Sequence, residues 1–502
     1  MNLLTSNPEF VRHWRAEMRA PRMLLSGGLS ALICFLFAQA HSQSVTNRGY
    51  ASSGPIGVDD SLYFWLMCVI AVALPLWCLS ACLQAIANER QMKTYDFVRT
   101  TRMNSLELLF GYLFGAPLMA YYTIGIGAFI AFLSGLGEHV PIPGMLLAFL
   151  LLIVFSVFTS LLGLLISLVV DKPRAAGLLF VVLFFGWPMG ALAFAASDSP
   201  FPGVSALAMI PGLLPFFHVP QTVAELAAPH VFGVAVPAVI LSVLLYGSMA
   251  VWVALALVNN LKKEREEIRI FTNRQAIGFA VYVNVLLIGF FHPLQNRVST
   301  QSYEAAFVIF LIFNCMLFYF TGVVTLTPQE RLRSWYREFC AKRQSYLSDN
   351  ALPWPWILLA GAIALVSFLF IVAMSGEYGQ HDLTLGWAGF AILLLITFAV
   401  RDVLFLQWCM LTRMKNPVSK GIALIWLYYL AVVILGALNR NDFREGIPGP
   451  IAVLTPVGAF DIGKFHSYAL FGFALQGAAI AILLFWIRDR LAVQPKAMAA
   501  AA

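Results

Sequence analysis

Long apolar blocks without charged residues alternate with short charged segments along most of this chain. Many blocks reach the roughly 20 residues that an α-helix needs to cross the hydrocarbon core of a bilayer. The pattern therefore predicts an all-α polytopic membrane protein with about twelve transmembrane helices. The predicted spans lie near residues 23–40, 62–87, 106–133, 145–170, 175–196, 231–258, 276–291, 305–326, 354–374, 385–411, 421–438 and 468–487.

The composition excludes an ordinary soluble fold. Hydrophobic residues make up 60% of the 502 positions and charged residues 11%, with a mean hydropathy of +0.80. Soluble domains carry roughly 25% charged residues, so a soluble chain of this composition would expose many apolar blocks to water. The seven cysteines form no CxxC pair and no cluster with histidine, and we predict no metal site.

The basic residues predict the orientation of the chain. With the N-terminus in the cytoplasm, 26 of the 32 Lys and Arg residues fall on the cytoplasmic side, as the positive-inside rule requires. The exceptions are Arg48, Arg297, Arg401, Arg440, Arg444 and Lys464. Both termini are therefore expected in the cytoplasm. The net charge of +7 follows from this topology, and no nucleic-acid partner is needed to explain it.

Similar landmarks recur in the two halves of the chain. Glu89-Arg90 follows predicted span two and Glu330-Arg331 follows span eight. A basic Pro-containing loop ending at Gly177 or Gly421 comes 88 or 91 residues later, and the pairs Pro202-Gly203 and Pro448-Gly449 follow after a further 25 or 27 residues. We predict two domains, 1–260 and 261–502, each with six spans. Because six is even, the repeats would be parallel and related by an axis along the membrane normal.

The residues before span one predict an amphipathic helix at the inner lipid surface. Asn7 can cap the helix, and Pro8 suits its first position. Apolar and basic side chains then separate onto different faces. The apolar residues are Phe10, Val11, Trp14 and Met18, and the basic ones are Arg12, Arg15, Arg19 and Arg22.

The loop between spans two and three, 88–111, combines charges with aromatic and aliphatic residues. Tyr95, Val98 and Arg102 share one side of a short helical pattern. We interpret this pattern as a small helix that docks on a cytoplasmic partner; the alternative is a merely solvated loop. The residues expected to couple to the partner are Glu89, Arg90, Tyr95, Asp96, Phe97, Arg99 and Arg102.

These features together resemble the permease subunits of ABC-2 type exporters. The shared elements are an amphipathic N-terminal helix, the Glu89-Arg90 pair, a short coupling helix, and Ser105-x-Glu107-Leu108 followed by Gly111. The resemblance is best over residues 7–258, but the Pro of the usual turn is missing and Tyr112 replaces a Lys. It implies an export permease in a bacterial inner membrane, coupled to a separate cytoplasmic ABC ATPase that acts as a dimer.

The second half departs further from that family. Its corresponding loop, 327–337, offers Glu330, Arg331 and Trp335 as candidate coupling residues, but no Glu-Leu-Gly segment follows. A Walker A loop requires Gly-x4-Gly-Lys-Ser/Thr. The nearest match, Gly458–Phe465, ends in Phe and falls in a predicted outer loop. We therefore expect no catalytic residues and no cofactor in this chain, with ATP and magnesium bound by the partner.

Arg401 and Asp402 form a charge pair inside predicted span ten. Ionisable groups at the centre of a membrane helix cost about 2.5–3.5 kcal/mol each on insertion scales. Such a pair is a candidate for a substrate path or gate. The alternatives are a pair satisfied within the helix bundle, or a side chain that extends towards the cytoplasmic surface.

Two other classes of protein compete with the exporter hypothesis. A secondary transporter of the major facilitator type also has twelve spans in two parallel halves, but its characteristic Gly-x-x-x-Asp-Arg-x-Gly-Arg-like loop is absent here. A membrane-embedded transferase or scaffold would be favoured by an outer domain, and the sequence indicates none. The sequence predicts lipid contact but does not indicate the transported substrate.

Overall fold

The computed structural model describes residues 7–47, 62–170, 230–232, 234–236, 238–264, 267–291, 300–375, 385–412, 416–438, 454, 456 and 466–499. Regular structure in these ranges is α-helical, apart from one antiparallel pair of two-residue strands, β1 (His230–Val231) and β2 (Val234–Ala235). The predicted all-α architecture is confirmed. The chain divides into two compact units, Met1–Ile270 and Phe271–Ala502.

The first unit contains eight helices within the described ranges. They are α1 (Pro8–Glu17), α2 (Ala20–Asn47), α3 (Leu62–Gln91), α4 (Tyr95–Thr100), α5 (Ser105–Gly115), α6 (Leu118–Gly137), α7 (Ile142–Val169) and α8 (Ala238–Asn260). Helix α3 packs against α6 and α7, and α7 packs against α8. Cys78, Cys82 and Ile86 of α3 are fully buried in this core. At Gly163 of α7 the absent side chain allows close approach to the α3 backbone at Leu79.

The third predicted span, 106–133, is wrong as a single helix. The structure has α5 (Ser105–Gly115), a turn at Ala116 and Pro117, and then α6 (Leu118–Gly137). Pro117 lacks the N–H that a continuous helix would use and starts a new helix instead. The membrane-length helix therefore begins at Leu118, and α5 is a separate element available to pack against α1.

The second unit is arranged around one central helix. Its helices are α9 (Asn273–Phe291), α10 (Thr300–Val324), α11 (Gln329–Cys340), α12 (Trp354–Ser375), α13 (Leu385–Leu411), α14 (Pro417–Leu438) and α15 (His466–Ala499). Helix α13 packs against α10, α12, α14 and α15. Close approach occurs at glycines, since a Cβ at Gly322 of α10 would overlap Val403 and one at Gly361 of α12 would overlap Ile396.

Nine helices within the described ranges are long and apolar enough to cross a membrane. These segments are Ala20–Ala40, Leu62–Gln91, Leu118–Gly137, Ile142–Val169, Ile240–Asn260, Phe307–Val324, Trp354–Ala373, Gly389–Leu411 and Phe471–Ala492. The helices α9 and α14, at predicted spans seven and eleven, are not among the nine. Predicted span five and the landmark segments around Gly177, Pro202 and Pro448 lie outside the described residues. The chain is thus a multi-pass membrane protein, and the count of twelve stays a prediction.

Candidate functional site

The first helix begins as the sequence predicts. The Oδ1 atom of Asn7 accepts hydrogen bonds from the backbone N–H groups of Glu9 (3.0 Å) and Phe10 (3.3 Å), and Pro8 occupies the first helical position. The Nδ2 atom of Asn7 also donates to the backbone carbonyl of Glu107, at 2.6 Å. The capping residue therefore ties α1 to α5.

Two glycines of α5 let α1 approach closely. A Cβ at Gly111 would lie 2.7 Å from the Cβ of Glu9, and one at Gly115 would lie 3.0 Å from the Cβ of His13. The first distance is too short for a side chain, and the second leaves room for one only if His13 shifts. The spacing is the small-xxx-small pattern that brings membrane helices together.

Trp14 lies on the other side of α1 and is 47% exposed. The side of α1 that carries Glu9 and His13 therefore contacts the protein, and the aromatic ring of Trp14 faces outward.

A charged cluster joins α1, α3 and α5. The guanidinium of Arg12 donates to the carboxylates of Glu9 and Glu89, and the hydroxyl of Tyr112 donates to Glu89. Both carboxylates are buried, whereas the Arg12 side chain is 46% exposed. Burial alone would lower the pKa of Arg12, but the hydrogen bond with Glu89 and the charges of Glu9 and Glu89 raise it overall. Arg12 therefore stays charged and offsets part of the negative charge of the two carboxylates.

Glu9, His13 and Glu89 could in principle supply metal ligands. One ligand atom from each lies within 4.8 Å of the others, and carboxylate oxygen and imidazole nitrogen suit a transition-metal ion. However, Arg12 already bonds both carboxylates. A cation at this point would have to displace a guanidinium, so we interpret the cluster as an ion-pair joint between helices.

Arg90 bonds a different part of the first unit from the part that Glu89 bonds. Its guanidinium donates to the carbonyl oxygen of Leu168, at 2.6 Å, and to that of Ser167, at 3.5 Å. These carbonyls belong to the last turn of α7, where the helix leaves acceptors without intrahelical partners. The same guanidinium lies 5.3 Å from the centre of the Tyr95 ring. Arg90 therefore links α3, the end of α7 and the start of α4.

The short helix predicted in the 2–3 loop is present as α4 and is firmly attached to its own unit. Tyr95 and Val98 are buried, and the Tyr95 hydroxyl donates to the carbonyl of Leu261 at 2.6 Å. Burial raises the pKa of Tyr95 to about 12, so the hydroxyl keeps its proton. Arg99 bonds Glu264 at 3.3 Å.

Of the two aromatic residues predicted to couple, the structure leaves Phe97 on the surface and Tyr95 inside. Phe97 is 76% exposed and Met92 is 75% exposed. Asp96 and Arg102 are exposed as well. Tyr95 therefore positions α4, whereas Phe97 is accessible to a second molecule.

In the corresponding loop of the second unit, the aromatic residue that was expected to couple is buried as well. Trp335 of α11 is 2% exposed, and its Nε1–H donates to the carbonyl of Ser345 at 3.1 Å. Its ring stacks on Phe339, with centroids 5.1 Å apart. Glu330 is exposed and Arg331 is partly buried at the start of α11. Trp335 thus holds its own loop together rather than forming an external surface.

The intramembrane pair forms part of a complete hydrogen-bonded network. Arg401 makes five hydrogen bonds, as many as a guanidinium has N–H donors. Two go to Oδ1 of Asp402, at 2.8 Å and 2.6 Å, and one goes to Oε1 of Gln476, at 2.8 Å. The last two go to the hydroxyls of Tyr429, at 2.8 Å, and Tyr428, at 3.4 Å. All five N–H donors therefore bond residues of α13, α14 and α15.

Asp402 receives tyrosine hydroxyls on its other oxygen. Tyr319 of α10 donates to Oδ2 at 2.6 Å, and Tyr429 of α14 donates to the same atom. The Asp402 side chain is 4% exposed. Four helices, α10, α13, α14 and α15, therefore meet at one electrically neutral pair. This arrangement agrees with the alternative of a pair satisfied within the bundle.

Sequence reasoning missed the partners of these charges. The sequence places Arg12 only in an amphipathic pattern, and it gives no indication of a role for Glu9 or Gln476. The spacing of Gly111 and Gly115 is a sequence signal of close helix packing that points to the α1–α5 contact. No comparable signal joins Arg401 to Gln476, because the two residues are distant in sequence.

Comparison with protein-family models and with curated proteins finds no match for this chain.

Proposed function

We propose that this chain is the membrane permease of an ATP-driven exporter and that it couples, through α4, to a separate cytoplasmic ABC ATPase dimer. The proposal places the chain in a bacterial inner membrane with both termini in the cytoplasm. Its support is the resemblance of residues 7–258 to ABC-2 permeases, together with the position of α4.

One observation carries the proposal: α4 is rigidly held on one side and exposed on the other. A coupling element must transmit force to the membrane helices, so it needs firm contacts with them. Tyr95 and Arg99 bond the segment after α8, and Arg90 links α4 to the end of α7. Phe97 faces outward, as an anchor for a partner should.

The proposal assigns the remaining residues according to these positions. Asp96, Phe97 and Arg102 would contact the ATPase, and Tyr95 would act by holding α4 in place. In the second unit Glu330 and Arg331 would contact the ATPase, and the buried Trp335 would support that loop. The chain itself would hydrolyse no ATP. A twelve-span chain with two six-span halves would supply both membrane domains of the exporter.

Affinity purification of the tagged full-length chain from its native membranes tests this proposal. We expect an ATPase with a Walker A loop to copurify, and its recovery to fall about tenfold or more in Phe97→Asp, because a carboxylate that is buried in an interface without a partner loses its hydration at a cost of several kcal/mol. Phe232→Asp is a matched control, since Phe232 is 51% exposed on the β1–β2 turn. Purification without any ATPase, or equal loss in both variants, would contradict the proposal.

A further inference from the structure

A cavity of about 580 Å³ lies beside the intramembrane charge pair. Its size is within the range of about 300–1,000 Å³ that is typical of small-molecule sites. The walls come from α13, α14, α15 and Leu454 and are mainly apolar. They include Phe405, Leu424, Leu475, Ala479, Ile482 and Trp486.

The rim of this cavity is accessible from the side of the helices. Leu424 is 47% exposed, Ile482 is 49% exposed and Trp486 is 46% exposed. Ile482 and Trp486 lie within the membrane-length segment Phe471–Ala492. A ligand would therefore enter from the hydrocarbon of the bilayer, and its main contacts would be apolar.

The polar end of the cavity is electrically neutral and already bonded. Arg401 and Asp402 both line it and pair with each other. Every N–H donor of Arg401 has a partner within the chain. An anionic headgroup would have to break these bonds, and a cationic one would meet a guanidinium.

The depth of the pair leads to the same conclusion about charge. Arg401 lies about ten residues, or roughly 15 Å at 1.5 Å per residue, from the end of the membrane segment at Leu411. The pair therefore lies within the length of chain that spans a hydrocarbon core about 30 Å thick. An added charge there would have no water to solvate it.

We infer that this cavity binds an uncharged amphiphile: a hydrocarbon chain lies along α15, with a hydroxyl-type headgroup beside Arg401 and Asp402. The Tyr428 hydroxyl accepts from Arg401 and donates to the carbonyl of Leu454 at 3.0 Å, so it stands at the polar end of the site. The inference concerns the second unit alone and does not depend on an ATPase.

Photolabelling of the purified full-length chain with two diazirine probes of equal chain length tests the inference. One probe is a long-chain alcohol and the other is the corresponding carboxylate, used at a pH where it is ionised. We expect the alcohol to label residues 475–486 saturably, and about tenfold more than the carboxylate, which corresponds to about 1.4 kcal/mol of discrimination. Excess unlabelled long-chain alcohol should remove this labelling.

The variant Ala479→Trp should fill the cavity and reduce labelling by about tenfold. Its matched control is Ala481→Trp, because Ala481 is exposed on the same helix and does not line the cavity. Equal labelling in the two variants would mean general exposure to lipid and would overturn the site. Equal or stronger labelling by the carboxylate would overturn the assignment of an uncharged ligand. If Ala479→Trp does not fold, the competition experiment on the unchanged chain still tests the inference. Labelling of residues 475–486 that excess unlabelled alcohol does not reduce would overturn it.

Discussion

The guanidinium of Arg12 bonds the buried carboxylate of Glu89. This bond joins α1, which precedes the first span, to the last turn of α3. The contact makes α1 a structural part of the first unit rather than a helix held by lipid alone. Through Tyr112, which also bonds Glu89, α5 belongs to the same joint.

We expect Arg12→Gln to loosen α1. The Arg12 side chain is about half exposed, so solvent screens the ion pair and the expected loss is only about 1 kcal/mol. Hydrogen exchange of the amides in residues 8–17 should become faster while that of α7 stays unchanged. Arg15→Gln is the control, because Arg15 is exposed on the same helix. Unchanged exchange in Arg12→Gln would show that the ion pair does not hold α1.

The glycine contact between α1 and α5 gives a second prediction. Gly111→Ala should destabilise the protein by about 1–3 kcal/mol, because the added Cβ overpacks a filled contact. Gly125→Ala should be neutral or stabilising by up to about 1 kcal/mol, since alanine favours a helix and a Cβ at Gly125 meets no atom of the described residues within 4 Å. Thermal unfolding in detergent compares the two variants. Similar changes in stability in the two variants would contradict the close approach of α1 to α5 at Gly111.

The charge pair in α13 should respond non-additively to substitution. Asp402→Asn or Arg401→Gln leaves one charge without its partner, and removing one member of a buried pair typically costs about 3–5 kcal/mol. The double variant leaves no charge and should be more stable than either single variant. A double-mutant cycle from thermal unfolding measures the coupling. Strictly additive losses would mean that the pair acts as two independent groups.

The two aromatic residues of α4 should separate stability from partner binding. Tyr95→Phe removes the hydrogen bond to the carbonyl of Leu261 and should cost about 1 kcal/mol. Phe97→Leu should leave stability within about 0.5 kcal/mol, as is usual for exposed positions. Thermal unfolding of the purified chain, without any partner, provides the measurement. A larger loss in Phe97→Leu than in Tyr95→Phe would reverse the assigned roles.

Labelling with an impermeant thiol reagent tests the orientation. In a chain whose native cysteines are replaced, Thr94→Cys should react only after lysis, since Thr94 is exposed on the side predicted to face the cytoplasm. Ser53→Cys and Ser199→Cys, in predicted outer loops outside the described residues, should react in intact cells. Reaction of Thr94→Cys from outside would invert the topology and contradict coupling to a cytoplasmic ATPase.

The sequence by itself determined the elements whose causes are local. Long apolar blocks form membrane-length helices because a helix satisfies its own backbone groups in lipid. Asn7 and Pro8 start α1 because capping involves residues within one turn. Pro117 also acts locally, because it separates α5, which ends at Gly115, from α6, although the length of the apolar block concealed that break.

Only the tertiary structure decided which side chains turn inward and what they meet. Tyr95 and Phe97 are both aromatic residues of one short helix, but Tyr95 bonds Leu261 whereas Phe97 is exposed. Arg401 is neutralised by Asp402 beside it and held by Tyr429 and Gln476 from two other helices. Periodicity along one helix indicates which residues share a face, but the partners of that face depend on how distant segments pack.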